Sequence, residues 1–72
     1  MNNYLAMNIC EAIMPIKDDS VNVTIITNDG NVYNNVEVND FDTKGVYFSN
    51  DKYALYVAYD NIVEINVRNK VD

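Results

Sequence analysis

The side chains that most often carry out catalysis in proteins are scarce in this sequence. It contains no histidine and a single cysteine, Cys10. Histidine is the commonest general base, and a cysteine nucleophile normally needs an imidazole or another cation beside it. A buried, inert thiol is therefore the expected role of Cys10, because free cysteine is among the most buried residue types. The sequence predicts no catalytic residues, and we expect a protein that is not an enzyme.

Oxygen ligands that could hold a hard cation occur at three places. The pair Asp18-Asp19 precedes the first predicted strand, Asp40 and Asp42 flank Phe41, and residues 28–31 read Asn-Asp-Gly-Asn. A dedicated Ca²⁺ or Mg²⁺ site needs a regular ligand spacing, which none of these segments has. An ordinary zinc site is excluded by the lack of histidine. We expect solvated loop charges, with no metal and no other cofactor.

The aromatic residues are the most suggestive group for binding. The chain has six tyrosines and two phenylalanines but no tryptophan. Such rings can stack on nucleic-acid bases or anchor a protein interface, and in a small barrel they also form much of the core. Both roles stay open, and contacts within the core or between subunits are favoured over contacts with a ligand.

Size and charge limit the partners of the chain. Its 72 residues and 8.2 kDa predict one domain over residues 1–72, with about 4,500 Å² of surface when folded. The net charge of −6 disfavours nucleic acid and favours a protein partner with a basic surface. A lone cysteine, no long apolar run and no secretory signal predict a cytoplasmic protein with no membrane contact.

The spacing of apolar residues predicts one helix at the start of the chain. The helix is expected over about residues 3–14. The apolar residues form a single stripe consisting of Leu5, Ile9, Ala12, Ile13 and Ile16. Pro15 disfavours helical geometry at Met14, so the helix is expected to end there. A helix this short needs a surface to lie on, which is either the β core or a partner.

From Val21 the apolar period changes to two, which predicts five short strands between about residues 21 and 68. The strands are expected at residues 21–27, 32–39, 46–49, 53–59 and 62–67. The Asp29-Gly30 pair predicts a hairpin between the first two, because glycine accepts the positive φ of a type I′ turn. In the fifth strand, Val63, Ile65 and Val67 are expected to enter the core. The chain is thus predicted to be mainly β, a helix followed by a strongly bent, five-stranded antiparallel sheet that closes into a small SH3-like barrel.

This order of elements resembles the Sm/LSm family, which includes bacterial Hfq and has an N-terminal helix before a five-stranded barrel. Residues 21–27, Gly30, residues 32–39 and the pair Phe41-Asp42 resemble its first motif. Residues 56–65 resemble its second motif, which is a fourth strand, a very short turn and an apolar fifth strand. At the turn where Hfq-like members carry basic RNA-contacting residues, this chain has Val57, Ala58 and Tyr59.

The resemblance implies a homo-oligomeric ring in which strand four of one subunit pairs with strand five of the next. The interface residues that it implies are Tyr53, Leu55, Tyr56, Val57, Val63 and Ile65. It also implies a ligand site on the two loops that line the pore of the ring, formed by Phe41, Asp42, Tyr59, Asp60 and Asn61. The Asn61 amide could offer both a donor and an acceptor to a base or an amide.

Two functions stay open from the sequence. The first is a non-enzymatic, self-associating Sm-like module that regulates or inhibits another protein by direct contact. Small acidic proteins of this kind include phage-encoded inhibitors of host machinery. The alternative is an Sm- or Hfq-like binder of RNA or a nucleotide, which uses aromatic stacking and asparagine contacts in place of basic charge.

Overall fold

The computed structural model describes residues 1–16 and 21–70. The helix α1 (Asn3–Ile13) precedes six strands, which are β1 (Val21–Thr27), β2 (Val32–Tyr33), β3 (Glu37–Phe41), β4 (Gly45–Ser49), β5 (Ala54–Ala58) and β6 (Ile62–Asn69). A 3₁₀ turn (Tyr59–Asn61) joins β5 to β6. The strands form two three-stranded antiparallel sheets, in the orders β2-β1-β6 and β3-β4-β5. The prediction of a mainly β chain with an N-terminal helix is confirmed.

The predicted five-stranded barrel is matched only in part, because the described residues form two sheets that do not close into a barrel. The strand expected over residues 32–39 is interrupted at Asn35, which has a φ of 55°. This left-handed backbone ends regular pairing, and asparagine tolerates it better than most residues. The first part of the predicted strand, β2, pairs with β1, and the second part, β3, pairs with β4. One predicted strand therefore serves both sheets.

The predicted hairpin at Asp29-Gly30 is present between β1 and β2. Gly30 has a φ of 90°, and its backbone N–H donates to the carbonyl oxygen of Thr27 at 3.1 Å. The N–H of Thr27 in turn donates to the carbonyl oxygen of Asn31 at 3.0 Å. The positive φ at Gly30 is the feature that requires glycine. Asp29 has no positive φ, so the expected type I′ turn is wrong although the hairpin is present.

The helix begins at an asparagine cap and buries a side that matches the predicted stripe only in part. The Asn2 side chain accepts hydrogen bonds from the N–H groups of Tyr4 and Leu5, which is a favoured N-cap arrangement. The buried side consists of Ala6, Cys10 and Ile13, whereas Leu5 is 54% exposed. The predicted stripe is therefore correct at Ile9 and Ile13 and wrong at its exposed members, which are Leu5, Ala12 and Ile16. The helix packs on β3, β4 and the 3₁₀ turn.

A single core connects the helix with both sheets. It consists of Ala6, Cys10, Ile13, Val23, Ile25, Val36, Val38, Val46, Phe48, Val57, Tyr59 and Ile62. The chain exposes 4720 Å², close to the value expected for its mass. In the parts of the chain that the structure describes, no helix is long and apolar enough to cross a membrane.

The strand β6 contains a bulge that the alternation of residues did not predict. Its pairing with β1 shifts so that Ile26 lies opposite Glu64 while the next residue, Thr27, lies opposite Ile62. Val63 is thus an extra residue in β6, as in a β-bulge. The prediction that Val63 enters the core is wrong, since it is 58% exposed and Ile62 is buried.

Candidate functional site

The loop between β3 and β4 is organised around the carboxylate of Asp42. One oxygen, Oδ1, accepts the backbone N–H groups of Lys44 and Gly45, both at 2.8 Å. The Tyr56 hydroxyl donates to the same carboxylate, at 3.1 Å from Oδ1 and 3.3 Å from Oδ2. These donors, with the N–H of Lys44 first, lower the pKa of Asp42, because each stabilises the ionised form. The loop is therefore fixed around a carboxylate that stays charged.

Tyr59 connects this loop to the core. Its ring is fully buried, and its hydroxyl donates to the backbone carbonyl oxygen of Asp42 at 2.6 Å. Its backbone N–H donates to the carbonyl oxygen of Lys44 at 2.9 Å. Burial is the main cause that raises the pKa of Tyr59 to about 12. A buried ring has no face to offer a ligand, so Tyr59 holds the Asp42 loop against the core.

Gly45 makes room for the ring of Tyr56. A Cβ on Gly45 would lie 2.5 Å from Cζ of Tyr56 and 2.6 Å from the backbone oxygen of Val57. The Tyr56 ring lies over this glycine and packs against Tyr47, with ring centroids 4.5 Å apart. The sequence predictions did not include Gly45. The available signal was an isolated glycine at the start of a strand, which often marks a close approach of another group.

The five residues predicted to bind a ligand have different environments. Phe41 is half-buried and packs against the core. The structure brings Asp42 and Tyr59 together, as described above. Asp60 and Asn61 follow in the 3₁₀ turn with exposed side chains, and the backbone oxygen of Asn61 accepts the N–H of Asn28 at 2.8 Å. The exposed members of this set are Asp42, Asp60 and Asn61, so the surface that they offer is acidic.

The other residues that were candidates for chemistry have structural roles where the structure describes them. Cys10 is fully buried, as predicted, and burial raises the pKa of its thiol to about 11. Asp29 accepts hydrogen bonds from the Thr27 hydroxyl and from Asn31 within the hairpin turn. The first of these is the largest cause of its lowered pKa. No group of three or more potential metal ligands occurs among the described residues, and Asp18-Asp19 lies outside them.

A surface pocket of about 240 Å³ lies where the β2–β3 and β4–β5 loops meet. It is lined by Val32, Asn34, Asn35, Asn50, Asp51, Lys52 and Tyr53. The Asn50 side chain joins the two loops, because its Nδ2 donates to the Asn34 carbonyl oxygen at 2.9 Å and its Oδ1 accepts two backbone N–H groups. Tyr53 is half-exposed and meets Tyr33 edge to face. The pattern of the sequence did not predict this pocket, which is formed by contacts between distant loops.

The strands β5 and β6 are each an outer strand of a three-stranded sheet. Within the described ranges, β5 pairs with β4 alone and β6 with β1 alone. Each therefore has one side, here called its free edge, on which backbone N–H and C=O groups have no strand partner. An unpaired edge of this kind is a template for a strand from another chain.

The residues predicted to form an interface are only partly accessible on these two strands. The exposed members are Tyr53 at 52%, Tyr56 at 41% and Val63 at 58%. Val57 is buried, and Leu55 and Ile65 are half-buried. Val67, which was not in the predicted set, is 46% exposed on β6. The apolar surface near the free edges thus includes tyrosines on the β5 side and valines on β6.

The fold and these surfaces define a small, mainly β chain with free edges on β5 and β6 and an acidic loop surface. Comparison of the chain with models of known protein families, with curated proteins and with solved structures gave no match. The resemblance to the Sm/LSm family therefore stays a prediction.

Proposed function

We propose that this protein is a non-enzymatic binding module that associates with itself and regulates or inhibits another protein through direct contacts. The observation that carries the proposal is the pair of free edges on β5 and β6, with exposed Tyr56, Val63 and Val67 on the two strands. A strand added from a second chain would satisfy the backbone groups of such an edge. It would also cover neighbouring apolar side chains.

The small size of the domain supports self-association. A chain of this length buries only about 60% of its extended-chain surface, which leaves a few kcal/mol of net stability. Domains this small often gain stability from disulfides, metals or association, and the single cysteine excludes a disulfide within the chain. In the Sm-like arrangement, β5 of one subunit would pair with β6 of the next, and such head-to-tail contacts close into a ring.

The charge of the chain supports a partner with a basic surface. The net charge is −6. The exposed carboxylates of Asp42 and Asp60 lie on the β3–β4 loop and on the 3₁₀ turn, two segments that the hydrogen bond from Tyr59 to Asp42 joins. A field of one sign speeds the encounter with an oppositely charged partner and disfavours other partners. Carboxylates on an exposed surface of this kind can occupy a site on the partner that otherwise binds phosphate.

Two exposed valines at opposite edges of one sheet allow a controlled test of self-association. Val67 is 46% exposed on β6, and Val32 is 52% exposed on β2. We expect light scattering of the wild type to give a mass above the 8.2 kDa of one chain. V67K should lower that mass because lysine blocks strand addition at an edge, whereas V32K should leave it unchanged. A wild type that stays monomeric would contradict self-association.

Protein binding is tested with the tagged chain in a cell extract. The expected result is capture of a protein that is released by salt, because attraction between exposed charges is screened. The D42N/D60N double variant should capture less of it. The D51N variant is a matched control, since Asp51 is an exposed carboxylate on the β4–β5 loop. Recovery of RNA without any protein partner would contradict the proposal.

A second candidate function is binding of RNA or a nucleotide, supported by the half-exposed ring of Tyr53 at the pocket. Aromatic faces stack bases without sequence preference, and Asn34, Asn35 and Lys52 line the same pocket. Filter binding to oligo-U and oligo-A at low salt tests this function. Retention that is lost in Y53A but kept in Y47A would support it, and no retention would remove it.

A further inference from the structure

The backbone groups at the free edge of β6 can be assigned from the hydrogen bonds of β1. The carbonyl oxygen of Val23 accepts the N–H of Val36 at 3.0 Å, and the N–H of Thr27 donates to Asn31. These odd-numbered residues of β1 thus direct their backbone groups away from β6. Residues along a strand alternate in this respect, so the even-numbered residues of β1 bond to β6.

The same alternation then fixes the direction of the backbone in β6. The partners of the even-numbered β1 residues are Glu64, Asn66 and Arg68, so these three direct their N–H and C=O groups toward β1. Ile65 and Val67 direct theirs to the free edge. A second strand at this edge would therefore form its hydrogen bonds with Ile65 and Val67.

The sequence of β6 is complementary to itself when two copies run antiparallel about Asn66. In that register Glu64 lies opposite Arg68 of the second copy, and Ile65 lies opposite Val67. Two-fold symmetry makes each of these contacts twice. Opposite charges and apolar pairs directly across an antiparallel pair are both stabilising.

We propose that two copies of the chain pair β6 to β6, antiparallel, with Asn66 on the two-fold axis. The three-stranded sheet of each copy then becomes half of one continuous six-stranded sheet. Ile65 and Val67 exchange backbone hydrogen bonds across the axis as a hydrogen-bonded pair. Glu64 and Arg68 form the non-hydrogen-bonded pairs, in which side chains approach more closely.

The two faces of β6 suit this pairing. Asn66 donates to the carboxylate of Glu64 at 2.6 Å, so these side chains share one face, and alternation places exposed Arg68 on the same face. Val67 lies on the other face, opposite buried Val23 of β1. It is nevertheless 46% exposed, because the free edge gives it a neighbour on one side only. Ile65 of a second copy would cover the other side.

Neighbouring registers lack this complementarity. Because only odd-numbered residues direct their backbone groups to the free edge, the register can shift only in steps that keep odd opposite odd. The next register in one direction places Glu64 opposite Asn66. In the other direction Glu64 lies opposite Lys70, beyond the end of β6 at Asn69. Only the register about Asn66 places Glu64 opposite Arg68 within the strand.

This inference rests on the proposed self-association and replaces its head-to-tail ring with a closed dimer. Charge reversal at the two paired positions tests it by sedimentation equilibrium at low salt. E64R alone and R68E alone each place like charges opposite one another twice per dimer. The expected loss is about tenfold or more in the dimer dissociation constant. Circular dichroism and thermal unfolding confirm that each variant is folded.

Two combinations should restore the dimer if the register is correct. The double variant E64R/R68E again places opposite charges across the axis, with the order exchanged. An equimolar mixture of E64R and R68E should form a heterodimer, because one chain then presents only arginine and the other only glutamate at these positions. Neither rescue is expected if β6 pairs with β5 of another copy.

The outcomes separate this inference from the proposed function. A wild-type dimer that is weakened by each single variant and restored by both combinations supports pairing of β6 with β6. Three results would overturn that pairing and leave self-association standing. They are an oligomer that the single variants do not weaken, one that the combinations do not restore, and one with the mass of a larger ring. A wild type that is monomeric throughout overturns both.

Discussion

Replacing Gly45 with alanine tests whether the close approach of β5 to Gly45 requires a residue without a Cβ. The new Cβ would lie 2.5 Å from Cζ of Tyr56, 2.6 Å from its hydroxyl oxygen and 2.6 Å from the backbone oxygen of Val57. The exposed Tyr56 ring can move aside, but the Val57 oxygen belongs to the paired strand β5. Overpacking of this kind costs about 1–3 kcal/mol. Lower entropy of the unfolded chain offsets about 0.4–1 kcal/mol.

We therefore expect G45A to lower the free energy of unfolding by about 1–2 kcal/mol, measured by urea denaturation. In a domain of this size each kcal/mol lowers Tm by about 4–8 °C. Because the backbone oxygen cannot retreat, G45A should cost most of this amount in a Y56A background as well. The Y56A single variant is the matched control for the double-mutant cycle.

The result that would refute this reasoning is a G45A variant as stable as the wild type. If G45A instead lowers stability in the wild-type background but not in the Y56A background, the obstacle is the Tyr56 ring and not the backbone of β5. Tyr56 would then be fixed more firmly than its 41% exposure indicates. Its hydrogen bond to Asp42 would be the reason.

Three further predictions concern the same elements. Y59F removes the buried hydroxyl that donates to the Asp42 carbonyl oxygen and should cost about 0.5–1.5 kcal/mol in urea denaturation; an unchanged stability would contradict that bond. The pKa of Tyr59 is raised to about 12 from 10.0. Its contribution to stability is therefore complete below pH 10 and is lost as the pH rises through 12. Thermal unfolding measured over this pH range should show a fall in Tm that is smaller in Y59F. N66C should form an intermolecular disulfide on mild oxidation of the native protein, because residue 66 lies on the proposed axis and Cys10 is buried. The control variant N22C, on β1, should not form one. Equal cross-linking of the two variants would argue against the axis.

The parts of the fold that local sequence determines were predictable. The Asp29-Gly30 turn needs a positive φ, which glycine adopts without a steric cost. The helix ends near Pro15 because proline has no N–H to continue the helical hydrogen bonds. The predicted reason was different, since Met14 itself keeps helical dihedral angles. In both cases the cause lies within a few residues of the effect.

Features that depend on one extra residue or on distant contacts were not predictable in the same way. The bulge at Val63 places Ile62 in the core where Val63 was expected, and a period-two pattern carries no sign of it. The pattern favoured Leu5 for the core, but the small side chains of Ala6 and Cys10 lie there. The pairing of Asp42 with Tyr59 joins residues far apart in sequence. The sequence thus predicted which residues form the candidate site but not the contacts between them.

The two arrangements for self-association exclude each other, because the free edge of β6 can accept only one strand. Pairing of β5 with β6 leaves an open edge at each end until a ring closes, whereas pairing of β6 with β6 uses that edge in both copies and stops at a dimer. The dimer leaves both β5 edges open, each with Tyr56 held over Gly45 by Asp42. Its net charge is twice −6, or −12, which strengthens the attraction to a basic partner. A dimer of this kind presents the Asp42 and Asp60 carboxylates twice and should bind two partner molecules.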